Sequence, residues 1–532
     1  MDLTLRKEMI FMDDQSSQSK KIKYGSLVLM IFSAIFGFSN SITAFYQMGY
    51  SSVIWYVIAA LAFFLPSALM FAEYGASFKE ASGGIYSWLK GSTNEKVAFI
   101  GTFIWLASWM VWLVSSTQFF IVSVSTMLFG KDETPTWHFA GLSSTQVVGL
   151  LGIAFILLVT LIASHGVDKI AKVATVGGIF AFAISILFSL FSIIVLIAHH
   201  GVLAEGITGI NSLTVSPNSN FDSPIEIISF LVYAIFAYAG LETTSGVIDS
   251  VDKPEKTFPK ALITAMILMT FLYIFMIVMC GFSTNWASIL GKSNVNLANC
   301  EYVLINNLGI EVGKAFGLST AAATVVGQAF SHFVGLTDVL TGIGAAFVMV
   351  YSPIKSFILG SDARLLPKKL TKLNQKKMPA NAMWLQAILV SAIMLFIAFG
   401  GDAASQFYTV LMDMMNVSSA APYLFLIGAF PFFKMKKDIE RPFVFYKKKG
   451  TVWAVSIMVW LVVAVGIIFT CIEPLLTHDY STAFWTAFGP VFFGIVGWIL
   501  YARSEKKLTM PMVEPHGNLQ LVPIENDNEK TK

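Results

Sequence analysis

Two short stretches place polar and flexible residues inside otherwise apolar runs. The first, SAIFGFSNSITAF (33–45), sets Gly37, Phe38, Ser39 and Asn40 in the middle of a hydrophobic segment. The second, FLVYAIFAYAGLETTSGVIDS (230–250), is interrupted at Phe236, Ala237, Tyr238 and Gly240, and then carries Glu242 among Thr243, Thr244 and Ser245. Gly lowers helix propensity, and lipid satisfies neither the polar side chains nor an unwound backbone. Unwinding at 37–40 frees N–H groups at the start of a half-helix, where the helix dipole also favours an anion. Unwinding at 236–240 frees carbonyls that accept hydrogen bonds from a cation. Together the two breaks suit a zwitterion, a carboxylate on one and an ammonium on the other. A single break reads equally well as a glycine kink for helix packing. Two breaks five spans apart read as a binding site.

The carboxylates come next. A charge at the centre of a membrane helix costs about 2.5–3.5 kcal/mol on insertion scales, so Glu242 requires a partner, a water-filled cavity or a proton. Its expected role is linked to gating or protonation, or to binding a substrate ammonium; the bland alternative is a structural hydrogen bond to a neighbouring helix. Asp413 lies three residues before Asn416, on one helical face, so Asp413, Met415 and Asn416 are candidates for side-chain selectivity. Asp338 lies toward the outer half of its segment, with His332 in the same vestibule; it reads first as merely wet, and otherwise as an attractor for cations. Glu73 reads as structural. Trp105, Trp109 and Trp112 recur at helical spacing and read as packing. His199 and His200 lack metal-ligand companions, and Cys280, Cys300 and Cys471 form no CxxC pair, so no metal, cofactor or disulfide framework is called for. GFSNS fails the nucleophile-elbow pattern, GKS at 291–293 lacks the upstream glycine of a P-loop, and HExxH does not occur. An enzyme is not indicated, and any pumping must draw on gradients or exchange.

The elements that position these residues are transmembrane helices. Of 532 residues, 56% are hydrophobic and 13% charged, with a mean hydropathy of +0.71; soluble domains carry roughly a quarter charged residues. Twelve apolar runs near the spanning length of about 20 residues follow one another: 25–46, 52–74, 97–128, 145–164, 170–198, 225–248, 260–283, 315–358, 380–399, 405–432, 452–472 and 484–502. The outer end of the eighth merges with the segment before it. The N-terminal stretch has no apolar core of a cleaved signal, and Met12 serves as well as Met1 for a start. With twelve spans, the loops on the side away from the termini hold only Lys131, Lys292 and Lys314 of the 35 Lys+Arg. The positive-inside rule therefore places both termini in the cytoplasm, and the net charge of +3 needs no nucleic acid to explain it. A five-helix unit crosses an odd number of times, so a second copy inserts upside down. The expected division is a cytosolic leader at 1–23, a transport core at 24–432 made of inverted repeats at about 24–200 and 225–432, two added helices within 433–502, and a cytosolic tail at 503–532.

These residues are joined by longer signatures. MFAEYGASFKEASGGIYSWLK (70–90) resembles the second-helix motif of the amino acid–polyamine–organocation (APC) permeases, and FAYAGLETTSGVIDSVDKPEKTFPKAL (236–262) is similar to their sixth helix and the loop after it. ARLLPKKLTKLNQKKMPANAMWLQ (363–386), WLASW (105–109) and APYLF (421–425) resemble further pieces, in order along the chain. Within that superfamily the sequence is similar to the bacterial glutamate/γ-aminobutyrate antiporter branch and to inner-membrane permeases beside it. The resemblance implies an all-α polytopic protein of about 12 helices with a LeuT-like five-plus-five inverted repeat, discontinuous first and sixth helices and two extra C-terminal helices. It implies a secondary amino-acid transporter of the bacterial inner (plasma) membrane working by alternating access, in the first place an exchanger. Proton-coupled symport of an amino acid or polyamine is the alternative, and an amino-acid sensor a further one. Its partners would be an amino acid or related amine and the lipid bilayer; relatives occur as monomers and as homodimers. The first-helix site maps to Gly37, Phe38 and Ser39, the outer aromatic cap to Phe236, the acidic residue after the break to Glu242, and the inner-gate tyrosine of the tenth helix to Tyr423. Two positions depart from the pattern. Gly37-Phe38-Ser39 replaces a Gly-Ser-Gly, and Ile104 stands where some relatives carry a third-helix gate tyrosine.

Overall fold

The computed structural model describes residues 21–509 except 222, 294, 296, 298, 402–409, 411–413, 415–416 and 477. The described chain is helical, with two single-residue bridges, Ile22 to Val251 and Phe139 to Leu142. Ten stretches are long and apolar enough to cross a membrane. The first of these, Tyr24–Ser77, has 54 residues, about 80 Å as straight helix. Gly49, at φ 56°, folds it into two crossings. Large apolar side chains such as Leu61, Leu158, Ile197, Phe271 and Val465 are exposed on the outer faces, as lipid contact requires.

The first span is broken where the glycine stands. Tyr24–Ile35 ends as the Phe36 N–H closes onto the Phe32 carbonyl, Gly37 is extended, and Phe38–Met48 starts a new helix. A Cβ on Gly37 would sit 2.8 Å from the Asn40 side-chain nitrogen, so the folded-back Asn40 needs glycine there. The sixth span starts at a capping box, Ser223 with Glu226, and runs over Pro224–Phe236. It then breaks through 237–240, where Gly240 takes φ +112°, a left-handed conformation that glycine adopts without strain. The chain continues as a tighter 3-10 helix, Leu241–Ser250. Thr243 and Thr244 hydroxyls bond back to the Gly240 and Leu241 carbonyls at 2.6 and 2.7 Å, which explains a run of hydroxyl residues in a buried helix.

Three other features position the site. The second span has a π-helical turn at Ala60–Phe64 just ahead of Pro66, whose missing N–H makes such a turn inexpensive. The third, Glu95–Phe129, is a single helix capped by Asn94. The eighth, Thr320–Gly360, runs 41 residues, about 60 Å, twice the hydrocarbon thickness. The expected run 315–358 is thus corrected. Gly317, at φ 75°, turns between the long helix and a separate polar helix, Cys300–Ala315, which is not among the apolar spans. Small residues draw the first, fifth and eighth spans together. A Cβ on Gly177 would meet the Ser33 hydroxyl at 2.7 Å, and one on Gly178 would overlap the Leu29 carbonyl.

A cavity between two broken helices

Both breaks face one cavity of about 920 Å³. Gly37, Phe38, Ser39 and Asn40 line it from the first span, and Phe236, Ala237 and Glu242 from the sixth. Tyr238 and Gly240 do not reach its wall. Tyr238 is buried, stacked on Phe64 with ring centres 4.5 Å apart, and the Gly240 N–H donates to the Tyr423 hydroxyl at 2.8 Å.

Tyr273, from the seventh span, ties the breaks together. Its hydroxyl accepts from the Gly37 N–H at 3.1 Å and from Asn40 Nδ2 at 3.3 Å, and donates to the Ala237 carbonyl at 3.3 Å. Tyr56 donates to the Asn40 carbonyl at 3.2 Å, and Tyr233 to Asn40 Oδ1 at 3.4 Å. Asn40 is therefore held on three of its polar atoms and acts as a strut of the break. The amides of Phe38 and Ser39, in the first turn of the restarted helix, are donors that a helix start leaves without intrahelical partners. They are the part of the first break left for an anionic group.

Glu242 forms the floor. It is 1% exposed, accepts from Trp105 Nε1 at 3.1 Å, and receives a short hydrogen bond from the Tyr423 hydroxyl. Third, sixth and tenth spans are thereby joined at one carboxylate. Below it the packing is closed. The Ser352 hydroxyl bonds the Thr243 carbonyl, and the Ile85 N–H donates to the Ser245 hydroxyl at 3.1 Å. Lys355, 3% exposed, pairs with both Asp249 oxygens at 2.6 and 2.7 Å. Lys21 donates to the Asp249 carbonyl at 2.8 Å, and Ile22, paired beside Val251, donates its N–H to the Ser250 carbonyl and accepts from the Asp252 N–H, both at 2.9 Å. At the other end the wall extends to Leu297, Glu301, Tyr302 and Asp338. Tyr302 lies 3.5 Å from Asp338 through its hydroxyl. Glu301 is outside the spans, at the start of the polar helix; burial, and then the neighbouring Asp338 carboxyl, push its own carboxyl well above the usual range.

The residue pattern and this architecture agree with a transport family. A family model described as amino acid permease matches residues 22–501. The chain belongs to the amino acid permease family. The permease is 44% identical over 491 residues to the inner membrane transporter YjeM of Salmonella typhimurium, covering 92% of this chain and 97% of that one. It is 23% identical to the aspartate/glutamate permease AcaP of Lactococcus lactis subsp. cremoris, covering 92% and 97%. It is also 23% identical to a glutamate/gamma-aminobutyrate antiporter of Lactococcus lactis subsp. lactis, covering 87% of each.

Several side chains of the permease differ from their sequence reading. Trp109 and Trp112 line the cavity, with rings at 5.4 Å, and Trp105 holds Glu242, so this trio does more than pack. Ile104 has no polar side chain, and the Trp105 indole one residue later donates to Glu242. His332 bonds the Met127 carbonyl at 2.8 Å and is not part of the cavity wall, unlike Asp338. Glu73 is fully buried against Lys434 and the Phe445 and Tyr446 amides, a structural anchor as expected. Asp413, Met415 and Asn416 lie outside the described residues. Tyr273 and Glu301 were missed. Glu301, in the string NCEYVLINN, was visible as an acid in an outer helix, but its approach to Asp338 was not.

Proposed function

We propose that this permease is a secondary transporter that exchanges amino acids or related amines by alternating access, in a bacterial inner membrane with both termini in the cytoplasm. One observation carries the reading: two helix breaks face a common cavity that is closed at one end by the Glu242–Tyr423–Gly240 bridge and extends toward the other. A carboxylate would rest on the Phe38 and Ser39 amides, and an ammonium on the carbonyls of the second break, beneath Phe236. In this state the closed end is the cytoplasmic one. The inward-facing state then requires parting Tyr423 from Glu242, Lys355 from Asp249 and Ile22 from Val251. Each joins separate segments of the chain, so the closed end is a set of discrete contacts that can be made and broken together. The YjeM relative is named for the inner membrane and the L. lactis antiporter for exchange, which supports both parts of the reading.

The test is uptake into proteoliposomes preloaded with single unlabelled amino acids or amines. Exchange requires an internal partner, so empty vesicles stay inactive; uptake into empty vesicles under an imposed proton gradient replaces exchange with symport. Gly37→Leu should reduce exchange about 100-fold or more, because its side chain drives into Asn40 and the Phe38 amide site, while the protein still inserts and folds. Wild-type uptake by that variant removes the site assignment.

A further inference from the structure

The cavity wall includes three carboxyl groups, Glu242, Glu301 and Asp338, and among the described residues no Lys, Arg or His. The chain as a whole has 35 basic and 32 acidic residues, so the imbalance is local to the site. The three acids are not equivalent. Glu242 is held by Trp105 and Tyr423, whereas Asp338 has the Tyr302 hydroxyl at a long 3.5 Å. Glu301 is 9% exposed, and its Oε1 is buried with no hydrogen-bond partner among the described residues. Buried polar atoms in folded proteins find partners, and a carboxyl with an unmet oxygen beside a second carboxyl calls for a donor that carries positive charge. Among the described residues the wall holds no such group. A second unmet atom points to the rest of the ligand: the Trp109 indole N–H, also on the wall, is buried without a partner among the described residues and is a donor for an anionic oxygen.

We propose that Glu301 and Asp338 form a subsite for an ammonium group of the substrate, so that the transported molecule is a cation, in the first place a dibasic amino acid. The inference rests on the transport reading above and narrows its substrate class. The α-carboxylate takes the Phe38 and Ser39 amides and the Trp109 N–H, and the α-ammonium takes the carbonyls of the sixth-span break. The side chain spans the aromatic wall to place its terminal ammonium between Glu301 and Asp338. Aromatic faces also favour a cation on that path. An acidic amino acid would bring a further negative charge to a wall that has no base among its described residues. A diamine shares the ammonium chemistry and lacks the carboxylate end.

The experiment uses the full chain in proteoliposomes, with labelled lysine, putrescine, glutamate and leucine each exchanged against the same unlabelled compound, and thermal shift in detergent as a binding readout. Lysine exchange should exceed glutamate and leucine exchange by about tenfold or more, the size of one charge-assisted hydrogen bond. Glu301→Gln and Asp338→Asn should each raise the lysine KM about tenfold, with Glu301→Asp recovering part of it. Putrescine exchange without lysine exchange keeps the ammonium subsite and overturns the dibasic amino acid. Glutamate exchange faster than that of either cation, or both variants keeping the wild-type lysine KM, overturns the subsite. A lysine-induced thermal shift with no exchange of any compound supports the subsite and overturns the transport reading. If a variant does not fold, the wild-type ranking of the four compounds still decides.

Discussion

One glutamate stands at each end of the same cavity, and the protein treats them oppositely. Glu242 is enclosed, with an indole and a phenol donating to its two oxygens. Glu301 is nearly as buried, yet one of its oxygens has no partner among the described residues and its nearest charged neighbour is another acid. A satisfied buried carboxyl holds helices together; an unsatisfied one costs stability until something else arrives. The first is a joint between three spans, which the proposed transport cycle would have to part. The second is the group to which we assign a bound cation. Their different surroundings, at similar burial, separate the gate from the subsite more sharply than residue type does.

The comparison breaks most easily at the floor. Glu242→Ala removes the acceptor of both the Tyr423 O–H and the Trp105 N–H at the buried floor of the cavity, at about 1–3 kcal/mol for each unmet donor. The expected outcome is a loss of about 3 kcal/mol or more of folding stability, read as a lower melting temperature in detergent, with exchange reduced about 100-fold. Glu242→Gln keeps one acceptor oxygen and should lose roughly half as much stability. If Glu242→Ala melts like the wild type, the carboxylate is not a joint.

The sequence alone carried the frame and half of this site. Gly37, Asn40, Gly240 and Glu242 stood out because each violates the rule of an apolar helix, and a violation is visible without knowing what lies opposite. Tyr273 was not visible. It sits in an ordinary apolar helix, 236 residues from the Gly37 amide it receives, and only tertiary approach gives its hydroxyl a role. Trp105 was hidden for a related reason. Its spacing with Trp109 and Trp112 fits packing, and a hydrophobic ring hides one polar N–H that decides its use. Hydropathy could not resolve the eighth span either, since a helix of 41 residues and the polar helix before it share one run of mixed character.

Removing one floor contact sharpens the contrast at a smaller scale. Trp105→Phe deletes only the indole donor and leaves Tyr423 bonded to Glu242. The expected loss is about 1–2 kcal/mol of stability and about tenfold in exchange rate, because the bond is made to a carboxylate in a buried place. An unchanged exchange rate would mean that Tyr423 alone closes the floor, and that Trp105 does no more there than fill space.

The smallest effect is expected at the mouth, and its sign is the telling part. Glu301→Gln removes a buried acid that has an acidic neighbour and one oxygen without a partner among the described residues, so stability should hold or rise rather than fall. Burial and Asp338 raise the Glu301 carboxyl above its unfolded value, which means the folded state holds the proton more tightly. For such a group, folding is favoured most at low pH, and that advantage fades as pH climbs from the ordinary carboxylate value, near 4.5, toward the raised one. The Gln variant does not titrate there. Its melting temperature should therefore match the wild type at the acid end and exceed it increasingly as pH rises, with Asp338 and Tyr302 as the groups facing it. Melting curves of both proteins without substrate, from about pH 4 to pH 8, measure this directly. A variant that is less stable than the wild type throughout would place Glu301 with Glu242, as a second joint of the scaffold, and would leave the mouth without its unsatisfied acid.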